Sequence, residues 1–189
     1  MMHAMGAKDM IKDAFTRHRS VLENSEGAVI SEAARAAEIL KGALAGGKKV
    51  FACGNGGSAA DAEHFIGELL CRYKEARKPL PAISLVSPIS TLTAIANDYS
   101  YDDVFARQIE ALGEEGDVLV ALSTSGTSKN ILSALRAAKK AHLQTILLTG
   151  EKGAMTKADV TIAIPSNETA RIQEMHELIY HAWCEFLDA

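Results

Sequence analysis

A chain of 189 residues is long enough for one α/β core and short for two. Its 48% apolar and 23% charged residues are ordinary for a globular protein, and no stretch approaches the roughly 20 apolar residues that span a bilayer, which excludes a membrane protein. A net charge of -4 leaves no broad footprint for a phosphate backbone, so nucleic acid is not an expected partner.

The N-terminal MMHAMGAKDMIKDAF contains no apolar run followed by a small-residue cleavage site, which predicts a cytoplasmic protein. From about Lys8 to Ala45 the composition is rich in Ala, Glu, Leu and Lys, with Ile11, Phe15 and Ile30 separated by polar residues. This predicts two helices joined near Asn24 to Gly27 and ended by Gly46-Gly47. Their apolar stripes need a partner surface, and a second subunit is the natural one.

KKVFACG then reads as a strand, GNGGSAADAEHF as a Gly/Ser loop entering an Ala-rich helix, PAISLV as a strand and STLTAIAND as a helix. The strand, polar loop and helix recur in DVLVALSTSGTS followed by KNILSALRAAKKAH, and TILLTG and DVTIAIP supply two more strands. TARIQEMHELIYHAWCEFLDA, with Ile172, Met175, Ile179, Trp183 and Phe186 at helical spacing, closes the chain. Strands alternating with helices predict a three-layer α/β sandwich, a parallel central sheet flanked by helices and preceded by the N-terminal pair. No linker divides the chain, which predicts one domain over 1-189, with 1-45 as the helical arm and 46-189 as the α/β core. Cys53, Cys71 and Cys184 are odd in number and lack metal-type spacing, so they read as reduced thiols.

In such sheets ligands bind beyond the carboxyl ends of the strands, where helix N-termini favour anions. Gly54, Asn55, Gly56, Gly57 and Ser58 allow close backbone approach to a ligand. Ser123, Thr124, Ser125, Gly126, Thr127 and Ser128 present hydroxyls that donate to phosphate oxygens. Neither loop is a nucleotide motif: GNGGSA has Ala59 where G-x-G-x-x-G needs glycine, and no G-K-[ST] occurs. Turn formation and helix capping account for one such loop about as well as ligand binding does, and less well for two in equivalent positions.

CGNGGSAADAEHF, PAISLV, LTAIANDY, GDVLVALSTSGTSKNIL, LTG and ARIQEMHELIYH, in this order and spacing, resemble the bacterial phosphoheptose isomerases of the SIS (sugar isomerase) class through nearly the whole chain. The resemblance implies an SIS fold, a homotetramer and a ketose-to-aldose isomerisation of sedoheptulose 7-phosphate to D-glycero-D-manno-heptose 7-phosphate, an early step toward activated heptose for lipopolysaccharide or other surface glycans. It implies Glu68 as general base and His181 as its acid/base partner, residue types suited to proton transfer through an enediol. It implies phosphate on Ser58, Ser123, Thr124, Ser125 and Ser128, with Asn55, Gly56, Gly57, Asn97, Asp98 and Gln173 as further substrate contacts.

It also implies one zinc ion per subunit on His64, Glu68, Gln173 and His181. His64 and Glu68 share a helix face at i, i+4. Gln173 and His181, by contrast, stand about 12 Å apart along one ideal helix, so they chelate one ion only if the helix starts after Gln173 or two subunits contribute. A metal-bound Glu68 is also a weaker base, which sets the two roles against each other. Related proteins that bind a replication initiator share the loops and lack both acid/base residues. A non-catalytic SIS module of that type is the alternative, and an isomerase or etherase for another sugar phosphate is a third. Asp61 reads as favouring the N-terminus of its helix, Arg72 as a surface ion pair beside Tyr73, and His3, His18, His142 and His176 as residues without partners or aimed elsewhere. Ala170 precedes Arg171 where some members of the family carry a polar residue, so no sugar contact carries over there.

Overall fold

A computed structural model describes residues 5–189; His3 lies outside them. Helices α1 (Ala7–Asn24) and α2 (Ala28–Ala45) meet at a turn containing Gly27, whose φ of 86° lies in the left-handed region that glycine adopts freely. The core follows: β1 (Val50–Gly54), α3 (Gly57–Leu70), β2 (Ala82–Ser84), α4 (Ile89–Asp98), α5 (Ala106–Leu112), β3 (Val118–Ser123), α6 (Lys129–Lys140), β4 (Gln144–Gly150), β5 (Val160–Ile164) and α7 (Thr169–Asp188). The expected strands and helices all form. The segment from Tyr101 to Leu112, a 3-10 turn and then α5, was not foreseen; its apolar residues Val104, Phe105 and Ile109 are too few for a visible period.

All strand pairs are parallel, in the order β2-β1-β3-β4-β5. Such strands are covered on both faces, and Val50–Gly54 and Val118–Ser123 are buried throughout. One apolar layer, with Phe65, Ile172, Tyr180 and Trp183, packs α2, α3 and α7 on one face; a second, with Phe51, Phe105, Ile109 and Leu135, packs α5 and α6 on the other. β1 and β3 are neighbours whose chains leave in opposite directions, toward β2 and toward β4. The loops after them therefore flank the crevice at the switch point of the sheet, where this architecture binds ligands.

α1 contributes no buried residue. It is tied to α7 by polar contacts: Arg171 donates to the Ala14 carbonyl at 2.8 Å, Arg17 pairs with Glu168 at 3.2 Å and His18 with Glu174 at 2.7 Å. His18 thus has a partner that its sequence neighbourhood did not reveal, 156 positions away being beyond any local pattern. Met10, Ile11, Phe15 and Leu22 on α1 and Ile30 on α2 remain exposed. No helix of the described residues is long and apolar enough to cross a membrane. The three cysteines are free thiols.

Candidate functional site

The two loops are built for close approach. A Cβ on Gly54 would fall on the Ser58 backbone, and Gly56, the residue before α3, takes φ 57°. Each position requires glycine. Asn55 ties the loops together: its amide exchanges hydrogen bonds with Asn130, the second residue of α6, at 2.9 and 2.8 Å, and its Oδ1 accepts from Tyr101 at 2.9 Å. Neither Asn130 nor Tyr101 was singled out from the sequence, since their role depends on two loops meeting in space.

Ser58 and Ser123 are buried, while Thr124, Ser125 and Ser128 are partly open. Ser128 occupies the cap position of α6 without its side chain capping the helix; its Oγ instead accepts from Ser123 Oγ at 3.5 Å. Ser123 Oγ accepts from Gly126 N–H at 3.2 Å, and Ser125 Oγ from Thr127 N–H at 3.2 Å. Asn97 and Asp98 lie exposed at the end of α4, bonded to each other at 2.8 Å.

A second constellation lies between α3 and α7. His64 and His181 face each other with Nε2 atoms 3.5 Å apart, and Glu68 Oε1 stands 3.2 Å from His64 Nε2. The buried Tyr180 hydroxyl is 3.0 Å from His64 Nδ1, and the Tyr73 ring stacks on His181 at 5.4 Å between centroids. Glu177, missed in the sequence, is 3.7 Å from His64 Nδ1, and His64, Glu177 and His181 each offer a ligand atom within 4.8 Å of one another. Its signal was available: Glu177 precedes His181 by four residues, the same one-face spacing as His64 and Glu68.

Asp61 is the fifth residue of α3, beyond the first turn, so it serves this cluster rather than the helix terminus. Burial first, and then the Glu177 carboxylate, push its carboxyl up to about 6 against the opposing pull of His64. Its Oδ2 is buried without a hydrogen-bond partner.

Gln173 is the correction. α7 begins at Thr169, so Gln173 and His181 share one continuous helix and do not reach one ion within a chain. Gln173 lies instead against Gly57, where a Cβ would fall on its amide. Arg72 is exposed and donates to the Lys74 carbonyl at 3.4 Å, and among the described residues it forms no ion pair. His176 is fully buried, neither ring nitrogen having a well-formed hydrogen bond.

The donor set suits a borderline metal: two imidazoles and a carboxylate at one point, with a phenol orienting one imidazole from behind. Ser58 and His64 are six residues apart on α3, about 9 Å along its axis, so the anion loops and the ionisable cluster are separate.

The SIS-domain family model matches residues 14–150. A phosphoheptose isomerase of Shewanella denitrificans is 50% identical over 185 residues, covering 95% of this chain and 94% of its own. The structure of phosphoheptose isomerase from Neisseria gonorrhoeae matches with a TM-score of 0.89 at 41% identity, and that from Francisella tularensis with 0.93 at 38%, each over 97% of this chain and 99% of the other. The chain belongs to the SIS-domain family and, within it, to the phosphoheptose isomerases.

Proposed function

We propose that the protein isomerises sedoheptulose 7-phosphate to D-glycero-D-manno-heptose 7-phosphate, in the cytoplasm, at the start of a route to activated heptose for surface glycans such as lipopolysaccharide. The observation that carries this reading is the pairing of a hydroxyl-rich anion cradle with an acid/base cluster about 9 Å farther along α3. Isomerisation at the carbonyl end of a sugar phosphorylated at its other end needs the two apart. Ser58, Ser123, Thr124, Ser125 and Ser128 hold the phosphate, while Asn55, Gly56, Gly57, Asn97, Asp98 and Gln173 border it or the sugar hydroxyls. Glu68 removes the proton from one carbon and returns it to the neighbouring carbon, while His181, through the ring nitrogen turned away from His64 that a metal would leave free, moves the proton between the two oxygens. The relatives that share half of this sequence carry isomerase names, and nothing in the site favours the initiator-binding alternative.

Zinc is the metal we assign, held by His64, His181 and a carboxylate; it supplies Lewis-acid polarisation of a substrate oxygen. In the described chain Glu177 is the carboxylate in reach of both imidazoles, which leaves Glu68 free to keep its basicity. Gln173 joins such a site only from a second subunit. Tyr180→Phe removes the hydroxyl that orients His64, so zinc affinity falls about 10- to 100-fold, read by competition with a chromogenic chelator. Metal analysis of purified variants separates the carboxylates: Glu177→Gln loses zinc and Glu68→Gln retains it. The reverse result moves the ligand role to Glu68.

We further propose one domain and a homotetramer assembled through α1 and α2. A second copy is the occupant of their apolar face because Phe15 and Ile30 stand 72% and 60% exposed. Ile30→Asp is expected to dissociate the assembly in sedimentation velocity while the circular dichroism of the α/β core persists.

A further inference from the structure

β4 ends in Leu148-Thr149-Gly150, part of the pattern shared with the family but without a place in the chemistry above. Thr149 is fully buried, and its Oγ1 has no hydrogen-bond partner. It is wedged between two glycines, Gly126 of the serine-rich loop and Gly153 of the turn after β4. A Cβ on Gly126 would stand 2.9 Å from Thr149 Oγ1, and one on Gly153 would fall on it. The same region holds the loop from two other sides. Thr156 Oγ1 donates to the Gly126 carbonyl at 2.9 Å, and Gly150 N–H donates to the Thr124 carbonyl at 3.1 Å.

The loop's own hydroxyls are turned inward, Ser123 Oγ onto Gly126 N–H and Ser125 Oγ onto Thr127. A phosphate in the loop recruits these hydroxyls and so withdraws Ser123 Oγ from Gly126 N–H, which is then left with the Ser123 carbonyl, at 3.0 Å, as its one acceptor. A buried hydroxyl that never found a partner would be destabilising relative to valine, which has the same shape. Thr149 therefore has a use that the loop in this arrangement does not draw on. We propose that Thr149 is a positioning residue for the anion loop, its hydroxyl taking up the backbone at Gly126 when Ser123 turns to a phosphate. This rests on Ser123 to Ser128 being the phosphate loop.

The test titrates inorganic phosphate, by calorimetry and thermal shift, against the full-length wild type and the Thr149→Val, Thr149→Ser and Ser125→Ala variants. Thr149→Val is expected to melt at or above the wild-type temperature without phosphate, yet to bind phosphate about tenfold more weakly, the loss of one neutral hydrogen bond. Thr149→Ser restores the affinity, and in turnover the valine variant raises KM far more than it lowers kcat. If Ser125→Ala weakens phosphate and Thr149→Val does not, the assignment fails while the loop stands. If Ser125→Ala has no effect either, both fail. A valine variant that loses stability along with affinity, unrescued by serine, shows a packing role only and also overturns the assignment.

Discussion

Glu68→Gln is expected to lower kcat for sedoheptulose 7-phosphate by a factor of about 10² to 10⁴, with folding and assembly intact. Glu68 is partly buried on α3 and makes its side-chain contact with His64, so the amide fits the same space and removes only the basic oxygen. His181→Gln is expected to fall in the same range. The double variant should be little worse than either single one, because the two groups act on one proton-transfer sequence. Aldose formation followed by NMR on zinc-analysed proteins reads this directly. Near-normal turnover by Glu68→Gln, with zinc at wild-type content, removes Glu68 from the chemistry.

The second large effect is the response of His176→Phe to acid. His176 is fully buried on α7, and desolvation lowers its pKa from 6.5 to about 4. In the unfolded chain the ring takes up a proton as pH falls below 6.5, and in the folded protein only near 4. The unfolded state therefore binds more protons across that window. Stability is at its full value above pH 6.5 and is lost as pH falls toward 4, by up to about 3 kcal/mol for this group. Asp61 runs the opposite way over the lower part of the window, its raised carboxyl accepting a proton from about pH 6 in the folded state and relieving the repulsion with Glu177. The two shifts are of similar size, so urea unfolding at stepped pH should show little net change in the wild type between pH 6.5 and 4 and a gain in stability on acidification in His176→Phe, which has similar volume and no proton to gain. Parallel curves would exclude His176 as the acid-sensitive group.

The elements that could be read in the sequence are those with a strong local period. β1, β3, α6 and α7 announced themselves through apolar runs and helical spacing, and the Gly54 and Ser123 loops through residue types that have few other uses. α5 was hidden because seven residues make too short a window, while PAISLV was legible as a strand although only three of its residues pair in β2. In the site, His64 and Glu68 were paired by helix periodicity alone. Glu177 carried the same information relative to His181, four residues on, whereas the contact of Tyr180 with His64 joins two helices and has no local signal. The Asn55 to Asn130 bridge and the His18 to Glu174 pair could not be read at all, since each joins segments that only the parallel sheet and α7 bring together. For Gln173 the helical rise already gave the right objection, and the unbroken α7 upholds it.

The division of the site between core and surface bears on how such a protein can change over evolutionary time. The Gly54 and Ser123 loops grow directly from the buried strands β1 and β3, so substitutions at their base disturb the sheet as well. His64 and Glu177 are 43% and 49% exposed, and the Tyr180 hydroxyl is the buried group that His64 meets. Substitutions in the cluster therefore cost the fold less than substitutions at the base of the two loops, so the proposed chemistry can drift faster than the proposed phosphate site.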